Sequence, residues 1–569
     1  MRRALALALL ALAAFPAVAP AHAVLEATTP AQGSELTTPP REVEFRFSEP
    51  VEASFGAVRV VDSDGEEVQQ GDLLRPSGDE SVGIGLRSDL RDGAYTATYR
   101  VVSADSHPVS GGFVFFLGDA NQGSALAVVD LLDDRSAGAV TDLAFWLDRM
   151  VGYLALGIGI GALAFLLLVW RPLASGGGIP EPARAGFARR WSRIAAIAIG
   201  AGIAASLTAL PLQAANAGGT SVWDALDPAV LGEVTDTRFG EAMLARTALW
   251  ALLGVLLVAG ALKPGWPRRT AAAVAVLAAT GLAFTPAIAG HAATQEPTAA
   301  LVSANAVHVG AMAIWLGGLV CLLGALPAAT RTLGRGSRAG ILLAALTRFS
   351  TLALGAVIAL SIAGVIQAVV ELERVAELWS TGFGRLLIAK SVLLVTLAGL
   401  GWHNRDRLIP ALAKRVGADE PPGDTGFGLR RNLRSEVALI GVAIGLSALL
   451  VSYAPPGTAA EAGPASGRAE VGQQVLEYAV DPAAVGRNQM HLYLFDSETG
   501  EQFDGAREIV ASASRDGIGP IPVELRRAGP GHWVAPALLL GAPGEWRIEV
   551  SVRTSRFDQH TVELEVEVR

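Results

Sequence analysis

Pro286-Ala-Ile-Ala-Gly-His-Ala-Ala-Thr-Gln-Glu-Pro-Thr-Ala-Ala-Leu-Val-Ser-Ala-Asn-Ala-Val-His-Val-Gly-Ala-Met-Ala-Ile-Trp-Leu-Gly-Gly-Leu319 decides how this chain is read. One apolar segment closes at Gly290-His291, a short polar loop follows, and another apolar segment opens around Asn305-Ala306-Val307-His308. Two of the chain's eight histidines therefore stand at the facing ends of consecutive membrane-length segments. A neutral imidazole is costly to bury in a membrane without a partner, and it is the commonest metal ligand. The pair reads as the entrance to a metal path.

Working outward, eight apolar segments are each long enough to span a bilayer: 148–170, 192–216, 239–262, 270–290, 304–326, 349–370, 382–402 and 434–454. The loops after the first, third, fifth and seventh carry the basic residues, among them Arg189, Arg190, Arg268, Arg335 and Lys414. The intervening loops are neutral or acidic, with Asp224, Asp227, Glu371 and Glu377. The positive-inside rule then places both termini outside. Composition agrees: of 569 residues 51% are hydrophobic and only 17% charged, which suits a polytopic membrane protein. A net charge of −9 argues against a nucleic-acid partner. Cys321 is the single cysteine, which excludes intrachain disulfides and a CxxC metal site, and its apolar surroundings read as packing. No dinucleotide fingerprint or phosphate loop is present.

Arg2-Arg3, an apolar run from Ala4 to Ala14, and Ala19-Pro20-Ala21 form a secretory signal peptide over residues 1–21. Cleavage after Ala21 leaves His22 at the new terminus, whereas cleavage after Ala23 leaves Val24. From Val24 to about Leu117, alternating apolar and polar residues separated by Gly, Pro, Asp and Ser describe a small β-sandwich. In Ser103-Ala104-Asp105-Ser106-His107-Pro108, Asp105 and His107 are two apart, so an extended chain projects both to one side. Alone, the pair reads as an ordinary surface Asp-x-His. A terminal His22 adds an amino group and a ring nitrogen, and the resulting nitrogen-rich set with one oxygen suits Cu(II).

Thr28-Thr-Pro-Ala-Gln-Gly33, Phe45-Arg-Phe-Ser-Glu-Pro-Val51 and Tyr99-Arg-Val-Val-Ser-Ala-Asp-Ser-His-Pro-Val-Ser-Gly-Gly-Phe113 resemble the CopC family of periplasmic copper-binding proteins. The resemblance implies Cu(II) held by His22, Asp105 and His107. The methionine-rich Cu(I) segment of some members has no counterpart, since none of the five methionines lies between Val24 and Leu117.

Met312 and Trp315 follow His308 on the same helical stripe, and Met150 and Met243 fall in the outer thirds of their segments. A thioether suits Cu(I) and imidazole either copper state, although methionines also fill gaps between helices. Thr237-Arg-Phe-Gly240, Gly290-His-Ala-Ala293, Trp315-Leu-Gly-Gly318, Arg348-Phe-Ser350 and Phe383-Gly-Arg-Leu-Leu-Ile-Ala-Lys390 resemble the CopD copper-resistance family. That implies copper passage across the inner or plasma membrane, described as uptake, with the family's helix-borne histidines at His291 and His308. Arg246 and Lys390, two turns inside the outer surface, are expected to pair with outer carboxylates such as Asp148 or Glu241. Glu436 is expected near the inner surface, and His403 at the cytoplasmic end of the seventh segment snorkels to water.

Pro455 to Arg468 is a linker, and β alternation returns in Met490-His-Leu-Tyr-Leu-Phe495 and Trp546-Arg-Ile-Glu-Val550. Pro543-Gly-Glu-Trp-Arg-Ile-Glu-Val550 resembles YtkA-like domains. His491, His532 and His560 show no ligand spacing.

The expected architecture is a polytopic α-helical membrane protein with eight transmembrane helices flanked by two exported all-β sandwiches. The divisions are 1–21, 22–118, 119–140, 141–454, 455–468 and 469–569. The expected activity is copper uptake in the cell membrane: the outer domain captures Cu(II), and copper passes inward through His291 and His308, a pair at the outer mouth sharing one ion, and then Met312. The partners are the copper ion, the lipid bilayer, and an extracytoplasmic copper carrier or reductase, with no enzyme chemistry. Two other readings compete: a redox protein holding b-type haem between His291 and His308, and a membrane-anchored copper sensor or buffer.

Overall fold

The computed structural model describes residues 23, 25–31, 34–53, 57–103, 108–118, 138–176, 178–260, 269–295, 297–372, 374–451, 465–481, 483, 486–497, 502–515, 518–542, 544–555 and 558–568. The signal segment and the candidate ligands His22, Asp105 and His107 lie outside these residues. The chain divides into a helical unit, chiefly 139–215 and 222–458, and a β unit, chiefly 20–138 and 459–569.

Among the described residues, the helical unit contains eight helices long and apolar enough to cross a membrane: α1 Gly138–Ser175, α2 Glu181–Gly218, α3 Arg238–Val258, α4 Arg269–Ile288, α5 Thr298–Thr330, α6 Arg335–Glu371, α7 Gly382–Gly417 and α8 Gly423–Leu450. Several run further than their apolar segments. α6 begins at Arg335 instead of 349, and α8 begins at Gly423 instead of 434, so only five residues, 418–422, separate α7 from α8. Arg, Lys, Leu and Ala are good helix formers, so the backbone stays helical where hydropathy ends.

The same effect corrects the depth of His308. α5 starts at Thr298, directly after Pro297, instead of at 304. His308 therefore lies ten residues inside the helix, about 15 Å along its axis from the first turn, and not at the helix start.

α1 and α5 cross with backbones touching. A Cβ on Gly161 would sit 1.9 Å from the Ala313 carbonyl oxygen, and one on Gly317 2.5 Å from Gly161 Cα. Close helix approach in a bilayer uses small residues in this way. Gly318 makes room on another side, where the Phe349 ring of α6 occupies the space its Cβ would fill, at 2.0 Å. The two glycines of Trp-Leu-Gly-Gly thus seat two different neighbours of α5.

The β unit holds two pairs of sheets. The N-terminal strands are β1 Leu25–Thr29, β2 Glu35–Leu36, β3 Glu42–Phe47, β4 Val51–Glu52, β5 Val58–Val61, β6 Gln69–Leu74, β7 Ser81–Leu86, β8 Gly93–Ser103 and β9 Pro108–Leu117. They form one sheet in the order β1-β3-β7-β6 and another in the order β2-β9-β8-β4, with β5 also on β8. Phe45, Phe47, Tyr99, Phe113 and Phe115 fill the space between them. The C-terminal strands are β10 Ala465–Val471, β11 Gln474–Asp481, β12 Gly486–Asp496, β13 Glu508–Arg515, β14 Ile518–Val523, β15 Arg526–Gly529, β16 His532–Leu540, β17 Gly544–Arg553 and β18 Gln559–Val568. Their sheets run β10-β11-β12-β16-β15 and β14-β13-β17-β18, around Leu492, Trp546, Ile548 and Val550. Alternation gives each strand one core face. On β8 and β9 the second face is covered as well: Ala94, Val114 and Phe116 pack against Ala528 and Val534 of the C-terminal sheets.

Candidate functional site

α5 presents Asn305, His308, Met312 and Trp315 in steps of three, four and three, one stripe of a helix. Its neighbour α6 runs antiparallel along the upper part of that stripe. Asn305 Nδ2 donates to Gln367 Oε1 at 3.2 Å, and Gln367 Nε2 donates to the Ala363 carbonyl at 3.1 Å. Three residues deeper, the His308 ring meets α6 at Gly364, where a Cβ would lie 3.5 Å from Cε1 and 3.6 Å from Nδ1. The imidazole thus lies in ordinary packing range of the α6 backbone at this glycine.

In this seam Asn305 Oδ1 is buried without a hydrogen-bond partner among the described residues, and the His308 ring meets the backbone of Leu360 on α6. Residues three apart on a helix are neighbours, about 5–6 Å between Cβ atoms. An amide oxygen and an imidazole thus stand one turn apart on α5. One turn further, Met312 Sδ enters the α1 groove 3.1 Å from where a Gly157 Cβ would be.

Below the thioether the stripe ends in a buried polar chain. Trp315 Nε1 donates to Glu436 Oε2 at 3.2 Å, Asn404 Nδ2 to Glu436 Oε1 at 2.6 Å, and Asn432 Nδ2 to Asn404 Oδ1 at 2.9 Å. Glu436 is only 3% exposed. Asn404 begins a π-helical turn in α7, Asn404–Leu408, of the kind that often marks functional positions. Sequence reading missed this chain because its members lie on three helices.

His291 lies in a short 3-10 turn, His291–Ala293, that packs on α4 and α5. Arg238 Nη2 holds the turn by donating to the Ala293 carbonyl at 3.2 Å. His308, deep in α5, is not level with the start of that helix, so the short loop alone does not bring the two histidines together. His403, expected at a wet interface, is exposed.

Of the two outer cations, Arg246 keeps an expected carboxylate, Asp148, and Lys390 takes another, Glu371. Arg246 Nε donates to Thr285 Oγ1 at 2.8 Å and interacts with Asp148, which also accepts from Thr208. Lys390 interacts with Glu371 at the end of α6, in place of Asp148 or Glu241, and it faces His308.

These cations also expose a repeat. The Thr237 hydroxyl accepts from Gly240 N–H and donates to the Val234 carbonyl, and the Thr381 hydroxyl accepts from Gly384 N–H and donates to the Glu377 carbonyl. In each case a Cβ on the glycine would lie 2.0 Å from that carbonyl oxygen. Nine residues after each threonine comes the cation, Arg246 or Lys390. Tyr153 lies 19 residues before Pro172 and interacts with Arg246, and His308 lies 19 before Pro327 and interacts with Lys390. His308 holds in the second half of the bundle the place that Tyr153 holds in the first. The shared Thr-x-Phe-Gly was the signal in the sequence.

Comparison with known proteins follows this division. Residues 25–118 match the CopC domain, 140–300 the copper resistance protein D-like N-terminal domain, and 343–450 copper resistance protein D. The copper transport protein CutJ of Bacillus subtilis is 26% identical over 97% of this chain and 96% of its own length. Copper resistance protein C of Pseudomonas syringae pv. tomato is 31% identical over 17% of this chain and 82% of its own length. Among solved structures, CopC from Methylosinus trichosporium OB3b is 26% identical over 17% of this chain and 93% of that one, with a TM-score of 0.16. The chain belongs to the CopC and CopD copper-resistance family, with both parts fused on one polypeptide.

Proposed function

We propose that this protein takes copper into the cell. The observation that carries the reading is the α5–α6 seam, where Asn305 Oδ1 is buried with no partner among the described residues, the His308 imidazole stands one turn on, and Met312 follows one turn further. Copper is the cargo that fits imidazole followed by thioether. The copper names of CutJ and copper resistance protein C, which this chain resembles, support the choice of metal.

Copper enters at the His291 turn, passes to His308, and then to Met312. The depth of His308 makes the histidines successive stations. The outer domain captures Cu(II) through His22, Asp105 and His107 and delivers it to this mouth. Both termini lie outside, with the arginine-bearing helix ends in the cytoplasm. A carrier or reductase outside the membrane supplies copper in its transported state. Passage runs down the gradient set by sequestration inside.

The test is copper accumulation in sealed vesicles carrying the protein. His291→Ala and His308→Ala should each abolish it, while Cu(II) binding by the outer face stays unchanged. Full accumulation in the double variant would refute the path, and copper moving only outward would refute the direction. Binding without any flux would favour a sensor or buffer.

A further inference from the structure

The C-terminal sheets bring together two histidines 41 residues apart. In the antiparallel pairing of β12 with β16, Tyr493 faces His532. His491 lies two residues from Tyr493 and so shares its face. The rings stack: His532 on Tyr493 at 4.3 Å and 9°, and His491 beside His532 at 5.3 Å and 16° between centroids. His491 Nδ1 lies 3.1 Å from His532 Nε2. The centroid separation exceeds this by about one ring width, so the two nitrogens point almost straight at each other.

The site is dry although it lies outside the sandwich core, whose strand positions are Met490, Leu492 and Leu494. His491 is 8% exposed and His532 fully buried. On the same sheet Val534 and Ala528 are covered by Ala94, Val114 and Phe116. Burial holds His491 down at about 4, and burial with the neighbouring His491 holds His532 well below its usual range. Both rings are therefore neutral at physiological pH, the form that ligates metals. His532 Nδ1 is buried without a hydrogen-bond partner among the described residues. Two imidazoles with one hydrogen bond between them and a nitrogen left over are a costly filling for an apolar interface.

We propose that His491 Nδ1 and His532 Nε2 bind one Cu(I) ion between them. Imidazole nitrogens sit about 2 Å from a first-row metal. At 3.1 Å apart and pointing at each other, they need open by only about 1 Å to hold the ion on the line between them. No group of three or more His, Cys, Asp or Glu able to hold a metal occurs among the described residues, so the pair supplies two neutral ligands and no anion. That set selects against divalent ions: desolvation cost grows with the square of the charge, and structural Zn(II) takes four ligands. On binding, the hydrogen shared by the rings moves to the other nitrogen of the ring that carries it. No proton or electron leaves the site. The choice of copper rests on the proposed function, whereas the site itself does not depend on flux or direction.

The experiment is anaerobic titration of the purified full chain with Cu(I), read as copper equivalents retained against a chromophoric chelator. His491→Gln, His532→Gln and the double variant should each retain one equivalent fewer than the unmodified chain, since the ion is shared. Unchanged stoichiometry, or a loss of two equivalents in the double variant, overturns the proposal. A second measurement needs no variant: Cu(I) should slow amide exchange in β12 and β16 at least tenfold, and Zn(II) should not. Unaltered exchange with Cu(I), or equal protection by Zn(II), refutes the site. Vesicle accumulation is scored separately, so loss of flux with retained stoichiometry sinks the transport reading alone.

Discussion

Lowering the pH from 7 to 5 should loosen the C-terminal sheets, and the magnitude follows from the buried histidines. His491 titrates at about 4 in the fold against 6.5 when free, chiefly because burial penalises its cation. Above pH 6.5 both folded and unfolded states keep the ring neutral, so its contribution to stability is fully present. As the pH falls below 6.5 the unfolded chain takes up a proton that the folded chain refuses, and stability is lost down to about pH 4. The slope is about 1.4 kcal/mol per pH unit, so His491 alone removes about 2 kcal/mol by pH 5. His532 moves in the same direction and adds to this. The neighbouring Arg527–Asp504 and Arg553–Glu508 ion pairs are half exposed and contribute little. Amide exchange of β12 and β16 in the full chain, corrected for the intrinsic rate, should accelerate about 30-fold or more between pH 7 and 5. The His491→Leu/His532→Leu double variant should abolish most of the dependence. Protection that changes less than threefold in the unmodified chain would refute this account of the pair.

Gly161→Ala should cost about 3 kcal/mol or more, because its Cβ meets the Ala313 carbonyl at 1.9 Å, whereas Gly310→Ala meets nothing within 4 Å and should be neutral. Thermal stability followed by size exclusion compares the two. Glu436→Gln should lower the melting temperature by the equivalent of about 1–3 kcal/mol, since its amide would confront a donor from Asn404 or Trp315, and equal melting would disprove the network. In the vesicle assay His403→Ala should retain most accumulation, since His403 is exposed, and a loss as complete as that of His308→Ala would make it a station on the path.

The bundle and the strands were legible because hydropathy and period-two alternation are local signals. Helix ends were not: Thr298 to Ser303 mixes Thr and Ser with Ala, Leu and Val, gives no sharp edge in hydropathy, and continues α5, so that His308 lies ten residues into its helix. The stripe His308, Met312 and Trp315 followed from helical spacing, but its neighbours depend on pairing between distant segments. Gly364, Gln367 and Glu436 have no sequence relation to α5 that spacing could reveal. His491 and His532 are the clearest case, because only the register of β12 on β16 sets them side by side. Lys390 was assigned by depth to Asp148 or Glu241, although Glu371 at the end of the preceding helix is its partner.

The crossing of α1 and α5 at Gly161 and Gly317 has a mechanical meaning. Contact between bare backbones offers no rotamers to repack and no spare distance to close, so it behaves as a fulcrum. The halves of the bundle can rock about it but cannot part there. Any opening that admits an ion must then be widest away from this crossing. His308 lies nine residues from Gly317 along α5, two and a half turns from the pivot, so a small tilt of the second half would displace the imidazole more than anything at the crossing.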